Sequence, residues 1–427
     1  MRHLSAFPLL LLTVLIGVSP GPRAEPAHPA CDKEIGGITL PPGFCATVFA
    51  DHLGVARHIV VAADGDVYVA LEERSHFGGV AALRDTHGDG HADVIKYFGD
   101  AGGTGIGIHG GYLYFASTIE VVRYPLKAGE LLPSGPPEIV VRGFPQQYEH
   151  TAKSIALDAS GHLYVNVGAP SNACQEDDRA AGSPGIKPCP LLAEHGGIWR
   201  FDADKTGQTF SADGVHYATG IRNAVAVTWN SAAAGFYALQ MGRDQLGDNW
   251  PKLYSDAQSA ELPAEELLQV RQGDDYGWPY CYYDQFQKKK VLAPEYGGDG
   301  KQAGDCGKYA QPVAAFPGHW APEAVLFYTG GLFPVQYRGG AFITFHGSWN
   351  RAPLPQAGYK VVFQPFKDGK PSGPYQVFAD GFAGSNTLLS PGDARFRPMG
   401  IAEGPDGVLY IGDSQQGRIW RIVFAGG

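Results

Sequence analysis

The sequence has no run of more than three lysine or arginine residues and, beyond its N-terminal segment, no long apolar run. A membrane-spanning helix needs about 20 consecutive apolar residues, so we expect no such span in the body of the protein. The absence of a longer basic run and a formal net charge of -10 disfavour nucleic-acid binding, which requires a positive surface. The six cysteines include no Cys-x-x-Cys pair. A cysteine zinc site is therefore disfavoured, and the c-type haem motif is absent.

Glycine and proline, in contrast, are abundant. The chain contains 59 Gly and 32 Pro in 427 residues, which disfavours long helices, and its 12% of aromatic residues favours strands. A chain of this length is large for one ordinary core. In a β-propeller, radial repetition allows a single domain to grow beyond that limit. The composition therefore favours an all-β protein, and a propeller accounts for its size.

The N-terminus has the layout of a secretory signal peptide. Arg2 and His3 precede an apolar run at 7–18, and residues 17–24 are rich in small residues and proline. The run is about a dozen residues long, shorter than a membrane span, although an uncleaved anchor is the alternative. We predict a signal peptide over residues 1–24 and one domain over 25–427. The protein is then periplasmic or secreted, with no membrane span after cleavage.

The six cysteines fall into three pairs that are close in sequence. Exported proteins retain disulfide bonds, and each of these pairs would close a local loop. We predict the disulfide bonds Cys31–Cys45, Cys174–Cys189 and Cys281–Cys306.

A glycine turn followed by an alternating or apolar strand recurs along the chain, a pattern typical of β-hairpins. The copies lie at 64–70, 110–116, 160–166, 235–239, 339–344 and 406–412. Several copies are followed by a second strand that we expect to close each blade, at 80–84, 120–124, 197–201 and 418–422. No such unit can bury its faces alone. We therefore predict a six-bladed β-propeller, with a pair of β-sandwiches as the competing architecture.

Long insertions at 170–195, 242–272 and 280–322 interrupt the repeats, and functional loops concentrate in such segments. The one helix that we predict lies around 264–269. Residues 85–93 look at first like a calcium loop of the EF-hand or dockerin kind. His87 occupies an oxygen-ligand position, however, and Lys96 stands where the closing glutamate is expected. We therefore favour an acidic turn between two strands.

The segment from Gly220 to Tyr283 carries four short motifs. They are Arg-Asn at 222–223, Gly-Arg-Asp at 242–244, Glu-Glu at 265–266 and Asp-Tyr-Gly-Trp-Pro at 275–279. An Arg-Asn pair suits a planar, anionic ligand, and carbonyls with carboxylates suit calcium. In this order the motifs resemble the soluble quinoprotein sugar dehydrogenases, which include the aldose and sorbosone dehydrogenases. That family binds pyrroloquinoline quinone (PQQ) through calcium on a six-bladed β-propeller, and the resemblance covers most of residues 36–425.

The resemblance implies a catalytic base at His150. In that family a histidine at this place removes the proton from the anomeric hydroxyl of the sugar, and imidazole is an effective base near neutral pH. A histidine that only fixes its loop is the alternative. His109, His319 and His346 are the other candidates. The motif at 345–351 resembles the sorbosone-type branch, so we expect His346 to line the cofactor pocket.

The resemblance also implies the residues that hold the cofactor, which carries three carboxylates and an o-quinone. Arg222 would bind the quinone and also act in catalysis, because it polarises the quinone oxygen as charge develops there. The further cofactor-binding residues that we expect are Asn223, Arg395, Arg397, His346, Arg351, Thr104, Lys153 and Arg57. The backbone carbonyls of Gly242 and Arg243 would hold the calcium ion that binds the quinone. Glu266, with the carbonyl of Tyr276, would form a second, structural calcium site.

Two departures from the best-known soluble glucose dehydrogenases fall on the substrate side. Thr104 stands where they carry a glutamine, and residues 169–174 lack their acidic and amide pattern. Glucose specificity is therefore not implied. We predict a PQQ- and calcium-dependent oxidoreductase that oxidises an aldose or a sorbosone-like aldehyde sugar and passes electrons to an external acceptor, a small quinone or a cytochrome. The alternatives are a calcium-dependent propeller lactonase or hydrolase, and a non-catalytic binding propeller.

Overall fold

Each glycine-turn repeat forms the second strand of a four-stranded antiparallel sheet, and six such sheets, the blades, surround a common axis. The computed structural model describes residue 1 and residues 31–32, 35–75 and 78–426. The predicted signal peptide therefore lies, apart from Met1, outside the described residues. Over the described ranges, no helix combines the length and the apolar character that crossing a membrane requires.

The blades are numbered along the chain, and their strands are given from the axis outwards. Blade 1 comprises Ala56–Val61, Val67–Ser75, Gly78–Arg84 and Val94–Phe98, and blade 2 comprises Gly105–His109, Tyr112–Ala116, Glu120–Pro125 and Glu138–Arg142. Blade 3 comprises Ile155–Leu157, His162–Val167, Gly197–Asp202 and Val215–Thr219, and blade 4 comprises Ala226–Asn230, Gly235–Gln240, Glu265–Val270 and Ala314–Phe316. Blade 5 comprises Pro322–Phe327, Ala341–Phe345, Lys360–Gln364 and Gln376–Ala379, and blade 6 comprises Pro398–Glu403, Leu409–Asp413, Ile419–Phe424 and Phe44–Ala50. The short strand Gln208–Thr209 adds in parallel to the outer edge of blade 2.

The blades close into a ring, because the innermost strand of each blade packs beside the innermost strands of both neighbours. Blade 6 takes its outer strand from the N-terminal side of the chain. There Phe44–Ala50 pairs antiparallel with Ile419–Phe424, and Ala46 lies opposite Ile422. This pairing joins the two ends of the domain and leaves only short sheet edges. The predicted six-bladed β-propeller is confirmed, although the strands expected to close the blades are the third of four.

The predicted helix at 264–269 is wrong. Glu265–Val270 is a strand that pairs on one side with Gly235–Gln240 and on the other with Ala314–Phe316. Hydrogen bonding to two neighbouring strands and burial of the leucines outweigh the helix propensity of this Glu-, Leu- and Gln-rich segment. The helices that do form are short and lie outside the blades, at Phe210–Asp213, Leu246–Asn249 and Asp256–Glu261, with 3₁₀ turns at Pro190–Ala193, Pro294–Tyr296, Gly304–Lys308, Val335–Tyr337 and Pro391–Asp393.

The three predicted disulfide pairs are confirmed. Cys31 is bonded to Cys45, Cys174 to Cys189 and Cys281 to Cys306. The second bond closes the insertion at 170–195, and the third closes the insertion at 280–322. That last insertion also contains a hairpin of Cys281–Asp284 and Lys289–Leu292, and a second small hairpin, Phe366–Lys367 with Lys370–Pro371, follows blade 5's third strand.

The core lies between neighbouring blades. Between blades 3 and 4, for example, the ring of Tyr164 stacks on Phe236 with 4.8 Å between the centroids, and Ile198 and Leu268 are fully buried beside them. Full burial of an apolar side chain of this size contributes about 1.5–3 kcal/mol. Each blade is therefore stabilised by its neighbours, and the ring forms a rigid support for the loops at its two faces.

Residues 85–93 connect the third and fourth strands of blade 1. The carboxylate of Asp85 accepts hydrogen bonds from the backbone nitrogens of Gly88 and Gly90, both at 2.7 Å. The carboxylate of Asp93 accepts one from the backbone nitrogen of Thr86, also at 2.7 Å. The acidic side chains thus satisfy the backbone of their own loop, and the predicted acidic turn between two strands is confirmed.

Candidate active site

Polar side chains from all six blades meet at one face of the propeller. The innermost strands run in the same direction, since their later residues together line one cavity of 540 Å³ at the opposite face. Their first residues therefore gather at the other face, which we call the polar face. One polar residue from each blade stands there, within or just before the innermost strand: Arg57, Thr104, Lys153, Asn223, Glu323 and Arg397.

His150 lies in the loop that enters blade 3, with a backbone φ of 51°. That region is strained for a residue other than glycine and is often found at functional sites. Nδ1 of His150 donates to the carbonyl of Ala169 at 2.5 Å, so Nε2 is the nitrogen without a proton, and it bonds to no other described residue. Burial, together with the charge of Arg222, lowers the pKa of His150 to about 4. The ring is therefore a neutral imidazole that can accept a proton from a hydroxyl.

Gln147 holds the His150 loop in this conformation. Nε2 of Gln147 lies within hydrogen-bond distance of three carbonyls, those of Glu149 at 2.7 Å and of His150 and Gly168 at 2.9 Å. Glycine is required at 168, because a Cβ there would lie 2.6 Å from the Cβ of His150. The position of the imidazole is thus fixed by the backbone on both sides of it.

Arg222 is buried beside this loop. Its guanidinium donates to the carbonyl and to Oδ1 of Asn172, both at 3.2 Å, to the carbonyl of Gly242 at 2.9 Å and to Oδ2 of Asp244 at 2.7 Å. Because arginine has five N–H groups, one Nη1 hydrogen remains for a ligand. Burial works to raise the pKa of Asp244, but the charges around it, first that of Arg222, lower the pKa to about 2. Asp244 is therefore an ionised partner that holds the guanidinium of Arg222 near His150.

Asp244 also binds Arg179, which lies on the loop closed by Cys174 and Cys189. Nη1 and Nη2 of Arg179 both lie 3.3 Å from Oδ2 of Asp244. Nε and Nη2 donate to the carboxylate of Glu149 at 3.1 and 2.9 Å, and this hydrogen bonding lowers the pKa of Glu149. One guanidinium thus connects the residue next to His150 with the carboxylate that holds Arg222.

Asn223 links blade 4 to blade 3 at the polar face. Its Oδ1 accepts a hydrogen bond from Nδ2 of Asn166 at 3.1 Å, and Oδ1 of Asn166 accepts one from the backbone nitrogen of Ala224 at 3.1 Å. Both asparagines are buried. The predicted Arg-Asn pair is therefore held in place by two different neighbours, Asp244 for the arginine and Asn166 for the asparagine.

A second group of charges surrounds Glu323, the second residue of the innermost strand of blade 5. Nη2 of Arg57 lies 3.6 Å from Oε2 of Glu323, and Nε of Arg57 donates to Oγ1 of Thr104 at 3.3 Å. Nδ1 of His346 lies 3.7 Å from Oε1, and Oε2 accepts no hydrogen bond from a described residue. Burial raises the pKa of Glu323 to about 7, against the lowering effect of Arg57 and Arg397.

His346 and Arg397 complete this second group. Nε2 of His346 lies 2.6 Å from Oγ of Ser414. Arg397 donates to the carbonyl of His346 at 3.2 Å and to that of Gly347 at 2.6 Å. Burial and the charges of Arg397 and Arg57 hold the pKa of His346 well below its ordinary value. This half of the polar face therefore carries two guanidiniums beside a neutral imidazole and one carboxylate that titrates near neutrality.

Lys153 is a buried cation without an acidic partner. Its side chain is 1% exposed, and Nζ donates to the carbonyl of Thr151 at 3.0 Å, while no carboxylate within the described ranges forms an ion pair with it. Burial lowers the pKa of Lys153 to about 8. An uncompensated buried charge is costly, so this position favours an anionic ligand. With Arg57, Arg222 and Arg397, Lys153 fits the three carboxylates and the quinone of PQQ.

The side chains of Arg395 and Arg351 do not join the groups gathered at the polar face. Arg395 is exposed and lies over the ring of Phe396, 5.1 Å from its centroid. Because that ring packs in the core against Trp420, the side chain before it is directed outwards. Arg351 donates to the carbonyl of Ala260 at 2.7 Å and to the carboxylate of Glu261 at 2.6 Å. It therefore ties a loop of blade 5 to a short helix.

The two predicted calcium sites differ in how well their residues suit a metal ion. At the first, the carbonyl of Gly242 accepts one hydrogen bond, from Arg222, and a carbonyl has a second lone pair for a cation. At the second, Nζ of Lys290 lies 2.5 Å from the carbonyl oxygen of Tyr276 and 3.0 Å from Oε2 of Glu266. An ammonium group stands there, so these residues do not fit a second calcium ion. Across the described part of the chain, no three His, Cys, Asp or Glu side chains form a metal-binding group.

Sequence reasoning missed four residues of this site: Asp244 as a partner of Arg222, Glu323, Arg179 and Lys290. Glu323 was detectable in principle, as a charged residue within the apolar strand Pro322–Phe327 at the same place that Arg57 holds in Ala56–Val61. Arg179 and Lys290 lie in insertions, where no periodic pattern indicates which side chains turn inwards. Their partners are distant in sequence, so only the folded chain shows them.

Solved structures with the same fold are known. The holo form of the PQQ domain of pyranose dehydrogenase from Coprinopsis cinerea matches with a TM-score of 0.72 at 19% identity, over 90% of this chain and 97% of that one. The calcium structure of Trichoderma reesei Carbohydrate-Active Enzymes Family AA12 matches with a TM-score of 0.72 at 21% identity, over 91% and 97%. The apo form of the soluble aldose sugar dehydrogenase from Escherichia coli gives 0.56 at 14% identity, over 89% and 99%. At these identities the likeness shows the fold.

An uncharacterized protein of Borreliella burgdorferi is 28% identical over 209 residues, which are 48% of this chain and 48% of that protein. The chain thus spans about half the length of the curated relative it matches. The TrAA12-like family model, in contrast, matches residues 38–424, which include all six blades. The protein therefore belongs to the TrAA12-like family.

Proposed function

We propose that this protein is a PQQ- and calcium-dependent sugar dehydrogenase that oxidises an aldose or a sorbosone-like aldehyde sugar at C1. The observation that carries the proposal is the convergence, on one face, of a neutral imidazole and several cations, of which Lys153 has no acidic partner in the described structure. A base and an anion-binding pocket are what hydride transfer from a sugar to a carboxylated quinone requires. The PQQ-containing fold neighbours support the same assignment.

His150 is the base in this proposal. The quinone supplies the acceptor for the hydride that leaves C1. Nε2 of His150 takes the proton of the C1 hydroxyl, while Nδ1 stays bonded to the carbonyl of Ala169, which keeps the imidazole in the required tautomer. Because the pKa of His150 is lowered to about 4, the ring is ready to accept a proton at any pH above about 5.

In this proposal the cations of the polar face have two roles, cofactor binding and stabilisation of developing charge. Lys153, Arg57 and Arg397 bind carboxylates that the cofactor carries in every state. Arg222, whose guanidinium is fixed by Asn172 and Asp244, offers its free N–H to an oxygen on which negative charge grows. Interactions that strengthen as charge develops accelerate a reaction, whereas those already present contribute to binding.

The proposed calcium ion is bound by the backbone carbonyls of Gly242 and Arg243. Calcium prefers carbonyl and carboxylate oxygens, and both backbone carbonyls lie on the turn that follows the second strand of blade 4. A bound cofactor would supply the further oxygens. The external electron acceptor is a small quinone or a cytochrome, and the three disulfide bonds are consistent with a periplasmic or secreted enzyme.

The second candidate function belongs to a different class of enzyme, the propeller hydrolases. In that chemistry a central calcium ion is held by side-chain carboxylates and amides from several blades. Here blades 1, 3 and 6 contribute Arg57, Lys153 and Arg397 to the polar face. The donor set therefore favours an anionic ligand. A non-catalytic binding propeller has no requirement for the hydrogen bonds from Gln147 that fix the His150 loop.

Reconstitution tests the proposal. Purified protein, freed of metal and cofactor, is supplied with PQQ, with calcium, with both or with neither, and reduction of a dye by aldoses and aldehyde sugars is recorded. We expect activity only with both, and a change in the absorbance spectrum of PQQ on binding. Hydrolysis of sugar lactones without PQQ would support the hydrolase instead. Dye reduction that is unaffected by a chelator and by omission of PQQ would overturn the proposal.

A further inference from the structure

The ammonium group of Lys290 is enclosed by protein. Lys290 lies on the strand Lys289–Leu292 of the insertion hairpin and is 2% exposed. Nζ donates to the carbonyl oxygen of Tyr276 at 2.5 Å. It lies 3.0 Å from Oε2 of Glu266 as a charge contact, and 5.6 Å from the centroid of the Tyr276 ring, within cation–π range. A carboxylate, a carbonyl and a π-face thus surround one positive charge.

These surroundings suit an ammonium and not a divalent ion. Calcium takes roughly six to eight oxygen ligands, whereas one carboxylate and one carbonyl converge at this point. With Lys290 in place, a calcium ion held by these two oxygens would therefore lack most of its ligands.

The contact made by Lys290 continues to the polar face. Oε1 of Glu266 accepts a hydrogen bond from Nε2 of Gln240 at 2.8 Å. Oε1 of Gln240 in turn accepts one from the backbone nitrogen of Arg222 at 2.7 Å. Lys290 therefore fixes Glu266, which fixes the amide that positions Arg222.

We propose that Lys290 is a built-in cation that takes the place of a structural metal ion between the insertion hairpin and blade 4. The protein consequently needs no calcium ion to hold Glu266 and the 275–279 corner together. Any calcium requirement arises at the Gly242–Arg243 turn alone. This role of Lys290 does not depend on the proposed dehydrogenase activity, because it concerns the protein without cofactor.

Thermal unfolding of the protein without PQQ tests this inference. The wild-type protein and the variants Lys290→Ala and Lys290→Gln are each unfolded in buffer that contains calcium and in buffer that contains a chelator. We expect the wild-type Tm to be the same in both buffers. The two variants should unfold lower by roughly 5 °C or more, because Glu266 loses its counter-charge. In Lys290→Ala, which frees space beside two oxygen ligands, calcium should restore part of the loss through mass action.

Two controls make the result specific. Lys289→Ala removes an exposed ammonium from the same strand and should leave Tm within about 1 °C of wild type, as usual for a surface substitution. In the double variant Lys290→Ala with Glu266→Gln, the calcium response should vanish, whereas a response arising at Gly242 and Arg243 would persist. A wild-type Tm that falls in chelator, with the fall abolished by Glu266→Gln, would overturn the inference. So would Lys290 variants that unfold like wild type.

Discussion

Arg222 and Asp244 form a buried ion pair in which Oδ2 of Asp244 lies 2.7 Å from Nη2 of Arg222, and the same oxygen lies 3.3 Å from both terminal nitrogens of Arg179. A single carboxylate oxygen thus joins the polar face to the loop closed by Cys174 and Cys189. That loop begins at the end of residues 169–174, one of the two places where the sequence departs from the glucose dehydrogenases that it resembles. Through Arg179, the loop contacts the carboxylate that binds Arg222.

Arg179→Ala should lower kcat by about tenfold, equivalent to ~1.4 kcal/mol, with a smaller effect on quinone binding. The substitution leaves Glu149 and Asp244 without their shared cation, so the pKa of His150 should rise toward its ordinary value. Nuclear magnetic resonance titration of the imidazole in protein without cofactor measures that shift. Arg179→Lys should recover part of both effects, and Arg142→Ala, at an exposed arginine, should change neither. An unchanged imidazole titration in Arg179→Ala would contradict the positioning role.

His150→Ala should lower kcat by roughly two to four orders of magnitude, the usual contribution of general acid–base catalysis. Quinone binding should remain largely intact, because the ring bonds to the carbonyl of Ala169 and not to a charged group. Stopped-flow reduction of the quinone by sugar, with binding followed separately by absorbance, checks both parts. A variant with near-wild-type rates would show that the base lies elsewhere, and His346 would then be the next residue to test.

The pH profile should reflect the lowered pKa of His150, about 4. An imidazole with that pKa remains neutral as the pH falls from 7.5 to 5.5. Protonation of the base should therefore reduce the activity by less than about a tenth over this range. With the ordinary pKa of about 6.5, the loss would be close to tenfold. The measurement is kcat/KM against pH at saturating quinone. An acid limb near pH 6.5 would show that the bound cofactor, or solvent, restores the basicity of the ring.

Glu323→Gln should stabilise the protein more at pH 8 than at pH 5. The pKa of Glu323 is raised to about 7 in the folded protein from the ordinary 4.5, so the folded state binds more protons between these values. Wild-type stability from this group therefore falls as the pH rises through that window, by up to about 3 kcal/mol. Urea unfolding of both proteins at the two pH values measures the difference, with the exposed Glu176→Gln as control. An equal effect of Glu323→Gln at both pH values would show that the carboxylate does not titrate there.

Arg397→Ala and Arg222→Ala should separate binding from turnover. Arg397 is expected to pair with a carboxylate that the cofactor always carries, so its loss should weaken PQQ binding. Arg222 is expected to face an oxygen that becomes more negative during the reaction, so its loss should lower kcat even at saturating PQQ. Titrating each variant with PQQ and reading the activity at saturation distinguishes the two effects. Full recovery of Arg222→Ala at high PQQ would assign that residue to binding.

The sequence by itself determined the repeat and, through it, the fold. Copies of the glycine-turn strand at 64–70 and 406–412 predict equivalent strands, and both are second strands of their blades, because a turn and an alternating apolar pattern are local properties that survive in any tertiary setting. The close spacing of Cys174 and Cys189 likewise predicted their bond. His150 was expected as a site residue from the family resemblance, and it lies in the loop before a blade's first strand.

Only the tertiary structure decided which neighbours each of these residues meets. Helix propensity at 264–269 was overruled by two flanking strands, Gly235–Gln240 and Ala314–Phe316. Arg395 and Arg397 look alike in sequence, yet the core packing of Phe396 directs Arg395 outwards. Lys290 meets Glu266, 24 positions earlier, only because an insertion hairpin folds back on blade 4. Burial, pairing and charge compensation arise between distant segments, and no local pattern in the chain encodes them.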